Sequence, residues 1–353
     1  MLLIDVTDVR DRYHGAIGPP SLRSTCRNNR YNLVVNTAPN LPASLGNNLA
    51  WLIDTGPRTL IEITGRDRTV FLHNFTTNDI KSLKPGLGCE AFAANLKARI
   101  LAHLWVFCTE NSLLVDAVPS VGGSLLKHFD KHIISEDVQL TDLSKARQSR
   151  LLVGPEAEKV LIAAGGELPG TAMGDHLETQ LAGIAVHCSR VDWTTPSCLL
   201  LTTSADTATT VWQSLSQAGA VSRDDLWAPL RIEHGYPLDR VDLTEEMLVH
   251  EANRVAQTVS FRKGCYLGQE PIARLDAMGH ANRLLQRIAI EQGDLPSCDT
   301  VLHDSHGQDV GRVTSSAENP LTGKRTALAL LKRTAAVAGT HVQWGDHGQG
   351  RVA

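Results

Sequence analysis

Aromatic residues are scarce in this 353-residue chain, at 5% of positions, and methionine occurs only four times. No apolar run reaches the roughly 18 residues that a membrane-spanning helix needs. The N-terminus, MLLIDVTDVR, meets Asp5 and Asp8 early and lacks the basic start and apolar stretch of a signal peptide. A surplus of positive charge is also missing. The formal net charge of −4 argues against a general nucleic-acid binder, which needs a basic excess. GxGxxG, Walker and GxSxG patterns are absent, which removes the common nucleotide-binding and hydrolase readings. The seven cysteines, at 26, 89, 108, 188, 198, 265 and 298, form no CxxC pair and no zinc-type Cys/His spacing. Their odd number and scatter point to reduced thiols in a cytoplasmic compartment.

What is present is a globular composition, 42% hydrophobic and 20% charged, with length for two or three domains. Residues 15–50 read as loops around one short strand, Tyr31 to Val35. From Arg58, RTLIEITG alternates as a strand closed by Gly65, and a helix follows with Val70, Phe71 and Phe75 on one face. CEAFAAN and RILAHLWVFC read as a hairpin turning near Asn95–Lys97. SLLVDAV is a third strand, and GGSLLKHFDKHI a helix with Leu125, Leu126, Phe129 and Ile133 inward. This order predicts an α+β lobe with helices on an antiparallel sheet. The polar DLSKARQSR stretch marks a crossing to a second α+β lobe. There SRLLVGP, AVHCSRVDW and SCLLLTTS read as strands, PEAEKVLIAAGG and DTATTVWQSLSQAG as helices. Ser222 and Asp225 form a candidate capping box for a helix ended by Gly235. After residue 282, short strands between Gly, Asp, Asn and Pro predict a small β-barrel or sandwich. The domains are therefore 1–57 (an N-terminal segment packing with the second lobe), 58–145, 146–281 and 282–353.

The sharpest motif is Lys263-Gly264-Cys265-Tyr266-Leu267-Gly268-Gln269-Glu270. Two glycines four apart allow a tight turn and close approach to a ligand. Nearby cations, Arg262, Lys263 and Arg274, favour the thiolate of Cys265. The plain alternative is a glycine-rich turn around a small buried thiol. Upstream, Glu251 and Asn253 would share one face of an extended segment, and a carboxylate there could meet the N–H edge of an amino-pyrimidinone; a helix cap or surface turn is the competing reading. His128 and His132 are spaced i, i+4 without a third ligand and read as a solvated helix face. His303 and His306 read as surface residues, and Trp105, Trp193, Trp212 and Trp227 as core.

FRKGCYLGQEPIARL, with the preceding EAN and following NRLL, closely resembles the folate-binding relatives of the glycine cleavage system T-protein. More narrowly, it resembles the branch implicated in iron–sulfur cluster assembly or repair, with its KGCYxGQE signature, once labelled tRNA-modifying. ITGRDRTVFLHNFTTNDIKSLKPG and GQDVGRVTSS…PLTGKRTALALLK extend the likeness over roughly residues 50–345. It implies a three-lobed ring of two α+β lobes with antiparallel sheets and a C-terminal β-barrel, around a folate-sized channel. It implies Cys265 as the reactive thiol. It implies cofactor contacts from Asn95, Arg231, Glu251, Asn253, Lys263, Gly264, Gly268, Gln269 and Glu270. The implied cofactor is tetrahydrofolate or a related folate, with no stable metal of the protein's own. The implied partners are iron–sulfur assembly proteins or client enzymes, with no membrane, and with tRNA modification touched only indirectly, without direct nucleic-acid binding.

The departures limit the chemistry. T-proteins carry an acidic residue on the strand after the position of Asn95; here the run is Ala98, Arg99, Ile100, Leu101, Ala102, His103, and the acid is replaced by Ala102. Pro196 stands at the pterin-facing glutamate position and Trp227 at that of a family arginine, which weakens the implied folate contacts; Asp192 or Glu251 could substitute. The leading expectation is a folate-binding accessory protein for iron–sulfur clusters. The alternatives are a tetrahydrofolate-dependent aminomethyltransferase or other one-carbon transferase, and a non-catalytic scaffold.

Overall fold

The computed structural model describes residues 49–195 and 198–353. The expected strand at 31–35, Cys26 and Pro196 lie outside the described residues.

After β1 (Ala50–Ile53), the first lobe runs β2 (Thr59–Thr64), α1 (Arg68–Phe75), β3 (Leu87–Ala94), β4 (Ile100–Cys108), β5 (Leu113–Ala117), α2 (Gly122–Asp130) and β6 (Gln139–Asp142). Its antiparallel sheet has the order β3-β4-β5-β2-β6. Alternation sorts the two faces. Ile61, Ile63, Leu104, Val106, Leu113 and Val115 point to one side. There they bury Phe71, Leu72 and Phe129 from the two helices. Val70 was expected inside but is 47% exposed, because α1 turns its Phe71–Leu72 edge to the sheet. Leu126 and Ile133 are only partly buried at the rim of this core.

The second lobe comprises β7 (Arg147–Val153), α3 (Ala157–Ala163), β8 (His176–Leu181), β9 (Ile184–Arg190), β10 (Cys198–Ser204), α4 (Ala208–Gln217), β11 (Ala220–Ser222) and α5 (Trp227–His234). Its sheet order is β11-β1-β7-β10-β9-β8. Strand β1 thus enters this sheet from before the first lobe, parallel to β11 and antiparallel to β7. The polar DLSKARQSR stretch is more than a crossing: it holds the end of β6 and the first half of β7. The Ser222/Asp225 capping box does not form. Asp225 instead pairs with Arg223 at 2.7 Å, and a 3₁₀ turn (Asp224–Leu226) leads into α5. Gly235, at φ +87°, ends α5 as expected of a left-handed C-terminal glycine.

Helices α6 (Val255–Thr258) and α7 (Gln269–Met278) connect to the last module. This is a closed barrel in the order β12-β15-β14-β13-β16-β17. Its strands are β12 (Arg283–Gln292), β13 (Val301–His303), β14 (Asp309–Glu318), β15 (Arg325–Lys332), β16 (His341–Trp344) and β17 (Gly348–Val352). Ile288, Leu302, Val313, Leu331 and Trp344 fill its interior. Closure leaves no open sheet edge.

Candidate functional site

The KGCYLGQE segment is laced to the chain just after α1. Ser260 N–H donates to Thr77 O at 3.0 Å and Leu267 N–H to Asn74 O at 2.9 Å. Between these ties, Lys263 turns inward. Its Nζ donates to the carbonyls of His73 (2.6 Å), Thr76 (2.6 Å) and Asn78 (2.7 Å) and lies 4.6 Å from the centroid of the Tyr266 ring. Carbonyls past a helix end lack intrahelical donors and carry partial negative charge, so a lysine there is well matched. Burial pushes the Lys263 pKa down to about 7, while three acceptors call on all three hydrogens of the charged form. Lys263 is therefore a structural tie rather than a ligand contact. Tyr266 is buried beside it, and Cys265 between them faces out and is exposed.

A cleft of about 450 Å³ opens at this thiol. Cys265, Gly264 and Arg262 form one side, and His73, Asn74, Asp79 and Lys81 another. The two glycines differ in kind. Gly268 sits at φ +82°, and a Cβ there would lie 2.4 Å from Asn95 O; Gly264 has open space around it. The expected need for glycine holds at Gly268 alone. Gln269 and Glu270 occupy the first turn of α7, half-buried and exposed respectively.

The remaining expected cofactor contacts do not converge on this cleft. Asn95 packs under Gly268, but its Oδ1 accepts the Lys97 and Arg99 N–H groups and closes its own hairpin turn. Arg231 is buried against the barrel, donating to Asp242 Oδ2 at 2.7 Å, Ser315 Oγ at 2.9 Å and Tyr236 O. The segment holding Glu251 and Asn253 is not extended; it is a 3₁₀ turn, Val249–Ala252. Glu251 accepts from Leu248 N–H and from Arg283, and exposed Asn253 sits at φ +56° with its amide toward Gln286. These side chains are committed to joining lobes. His128 is likewise not solvated: it is buried beside Phe75, and burial lowers its pKa to about 4.

A second region lies between the two sheets, where sequence reasoning named few residues. Glu90 on β3 receives both Nε and Nη2 of Arg254, at 2.5 and 2.6 Å, and contacts His103 Nε2. Arg254 also reaches Asp192 Oδ2 at 3.0 Å, and Asp192 Oδ1 meets His234 Nε2 at 2.7 Å. Burial opposes the Glu90 charge, but the bonds from Arg254 and His103 outweigh it and its pKa falls. The Ala102 position needs revision: its methyl faces the helix-side core, and His103 is the residue aimed at this network. Asp192 is fully engaged, so it is no spare carboxylate. Alongside, Arg58 pairs with buried Asp116 and lies 4.4 Å over the Trp193 ring. Trp227, at the lost arginine position, packs on Trp193.

Beside these pairs a cavity of about 650 Å³ separates the sheets. Phe107 and Leu114 line it from the first lobe, His176, His187 and Thr202 from the second. The two imidazoles form a chain: His176 Nε2 to Cys108 O, His187 Nε2 to His176 Nδ1, and Ser189 Oγ to His187 Nδ1. Burial lowers both pKa values, that of His187 to about 3, so both rings are neutral and the bonds fix their tautomers. Half-buried Glu62 also lines the cavity, and its carboxylate has no hydrogen-bond partner among the described residues. Exposed Arg147 stands at the cavity wall.

A sequence profile of the GCVT N-terminal domain matches residues 47–263. A candidate transferase of the Arabidopsis thaliana chloroplast is 29% identical, over 83% of this chain and 68% of that protein. An aminomethyltransferase of Geobacillus kaustophilus is 26% identical, over 83% of this chain and 82% of its own. The crystal structure of glycine cleavage system aminomethyltransferase T from Bartonella henselae has the same fold. The TM-score is 0.77, with 88% of this chain and 86% of that one covered at 21% identity.

Proposed function

The chain belongs to the GCVT N-terminal domain family, and from that membership we propose that it is a folate-binding accessory protein of iron–sulfur cluster assembly or repair, with Cys265 as the reactive or cluster-contacting thiol. The observation that carries this reading is the exposed Cys265 sulfur at the mouth of a cleft, on a loop fastened by Lys263. One thiolate cannot fill the four-cysteine shell of a common cluster, so any cluster would be shared with an assembly protein or client enzyme. Replacing Cys265 by Ala removes a solvent-facing group and should leave the fold intact. In a deletion strain the Cys265→Ala chain should fail to restore iron–sulfur enzyme activity. Full restoration would overturn the assignment.

The folate part rests on the inter-sheet cavity. Its volume is in the range of small-molecule sites, and its lining mixes apolar side chains such as Leu60, Phe107, Leu114 and Leu200 with eleven polar or charged residues. Phe107 offers a ring to a flat heterocycle. The unpaired Glu62 carboxylate can accept from an amino-pyrimidinone edge, the role first sought in Glu251 or Asp192. Arg147 can meet the carboxylates of a glutamate tail. A bound reduced folate would supply a nitrogen able to carry a one-carbon unit. Because His103 and Ala102 bring no carboxylate, acid assistance to aminomethyl transfer is missing from this reading. Titration calorimetry with tetrahydrofolate should give binding that Glu62→Gln weakens about 10- to 100-fold, as for a lost charged hydrogen bond. No heat with the unaltered protein at high ligand concentration would remove folate and leave the thiol role standing.

A further inference from the structure

The inter-sheet cavity carries more negative charge than positive. Glu62, Glu110 and Glu178 line it, and none of the three carboxylates has an ion-pair partner among the described residues. Arg68 reaches only the main-chain carbonyl of Glu110. Asp116 also lines the cavity, but Arg58 neutralises it. His176 and His187 are uncharged, because burial lowers both of their pKa values. Arg147 is the one arginine or lysine of the lining.

These charges are layered by depth. Asp116 is 2% exposed and Glu62 is half-buried, so their carboxylates belong to the inner walls. Glu110, Glu178 and Arg147 are exposed and mark the mouth. The topology puts them there. Glu110 sits in the turn from β4 to β5, and Arg147 is the first residue of β7. Glu178 lies on the edge strand β8, opposite His187 of β9. A space of about 650 Å³ is enough for a two-ring heterocycle, its aryl linker and one glutamate. A longer tail has to leave through the mouth, past Glu110 and Glu178.

Resting on the folate reading above, we propose that this cavity selects folates with a single glutamate and discriminates against polyglutamyl forms. Arg147 receives the carboxylate end of the first glutamate. Each further γ-linked glutamate adds one carboxylate at the rim, where the remaining charges are of the same sign and no second cation lines the wall. Two like-charge contacts at about 8 Å in water weaken binding about fivefold, and the low-dielectric walls of a cleft increase the repulsion. The heterocycle end, held by the inner walls, is common to both forms, so the discrimination belongs to the mouth alone.

Titration calorimetry with tetrahydrofolate and with its pentaglutamate provides the test. At about 0.01 M salt, where charges act over about 30 Å, we expect the monoglutamate to bind about fivefold or more tightly than the pentaglutamate. At about 1 M salt, where the range is about 3 Å, the ratio should fall to near unity. The double substitution Glu110→Gln, Glu178→Gln alters two exposed side chains and should remove the preference at low salt. A pentaglutamate that binds as tightly as the monoglutamate at low salt, or a preference unchanged in the double variant, would overturn the proposal and leave folate binding itself in place. No heat from either form would remove folate binding, and this selectivity with it.

Discussion

Half of the lining of the Cys265 cleft is four consecutive residues, Arg262 to Cys265, whereas the inter-sheet cavity draws its walls from seven strands of two sheets. The cleft is made by a loop tied down at a few points, with its reactive group turned to water. The inter-sheet region is made by topology, and its fully buried charges are paired, as Glu90 is with Arg254. Such a loop should tolerate change at its tip but not at its ties. The inter-sheet region should tolerate little change anywhere.

The largest expected effect is at Arg254. Arg254→Met leaves Glu90 buried without its main partner, and urea unfolding should show a loss of about 3–5 kcal/mol. A loss below about 1 kcal/mol would mean that the network contributes nothing to holding the sheets together. Next comes the tie of the loop. Lys263→Met strands three carbonyls, and about 2–3 kcal/mol should disappear from the same measurement. The two glycines sharpen the contrast within one motif. Gly268→Ala, forced into left-handed backbone against Asn95 O, should cost about 1–3 kcal/mol, and Gly264→Ala about 0.5 kcal/mol or less. Equal costs would erase the distinction between tie and tip.

The response to acid is spread over several buried rings rather than set at one residue. His73 and His128 have pKa values lowered to about 4, and His187 to about 3, against 6.5 in the unfolded chain. Unfolded chains therefore bind protons that the fold refuses. Stability is fully present above pH 6.5 and declines as pH falls from there toward 4. Thermal scans should show Tm nearly constant from pH 8 to 7 and lower by about 6–10 °C at pH 5. A Tm unchanged down to pH 5 would show that these rings are wetter than the structure has them.

What could be read beforehand follows the same division. The β3–β4 hairpin and the barrel strands announce themselves because alternation and turn residues are local signals. The Cys265 motif was legible because its parts are adjacent. Strands β6 and β8 were missed: QLTD and HLETQL are largely polar, and both lie at sheet edges where burial demands little. Glu251 was misjudged because one carboxylate can serve a heterocycle or its own backbone, and only the 3₁₀ turn decides which. Glu90 and Arg254 lie 164 positions apart, so no spacing rule could have joined them. The same holds for Glu62, whose importance depends on which strands of another sheet stand opposite.

The placement of β1 has a consequence for synthesis. Ala50–Ile53 leaves the ribosome before any residue of the first lobe, yet its neighbours are β7 and β11. The first lobe, whose strands are contiguous in the chain, can fold while these four residues wait unpaired. Only when residues 147–153 emerge, and then 220–222, can the nascent strand be enclosed from both sides. A long-range pairing of this kind is slow to form. During translation, the apolar Ala-Trp-Leu-Ile stretch stays without its partner strands until both have emerged.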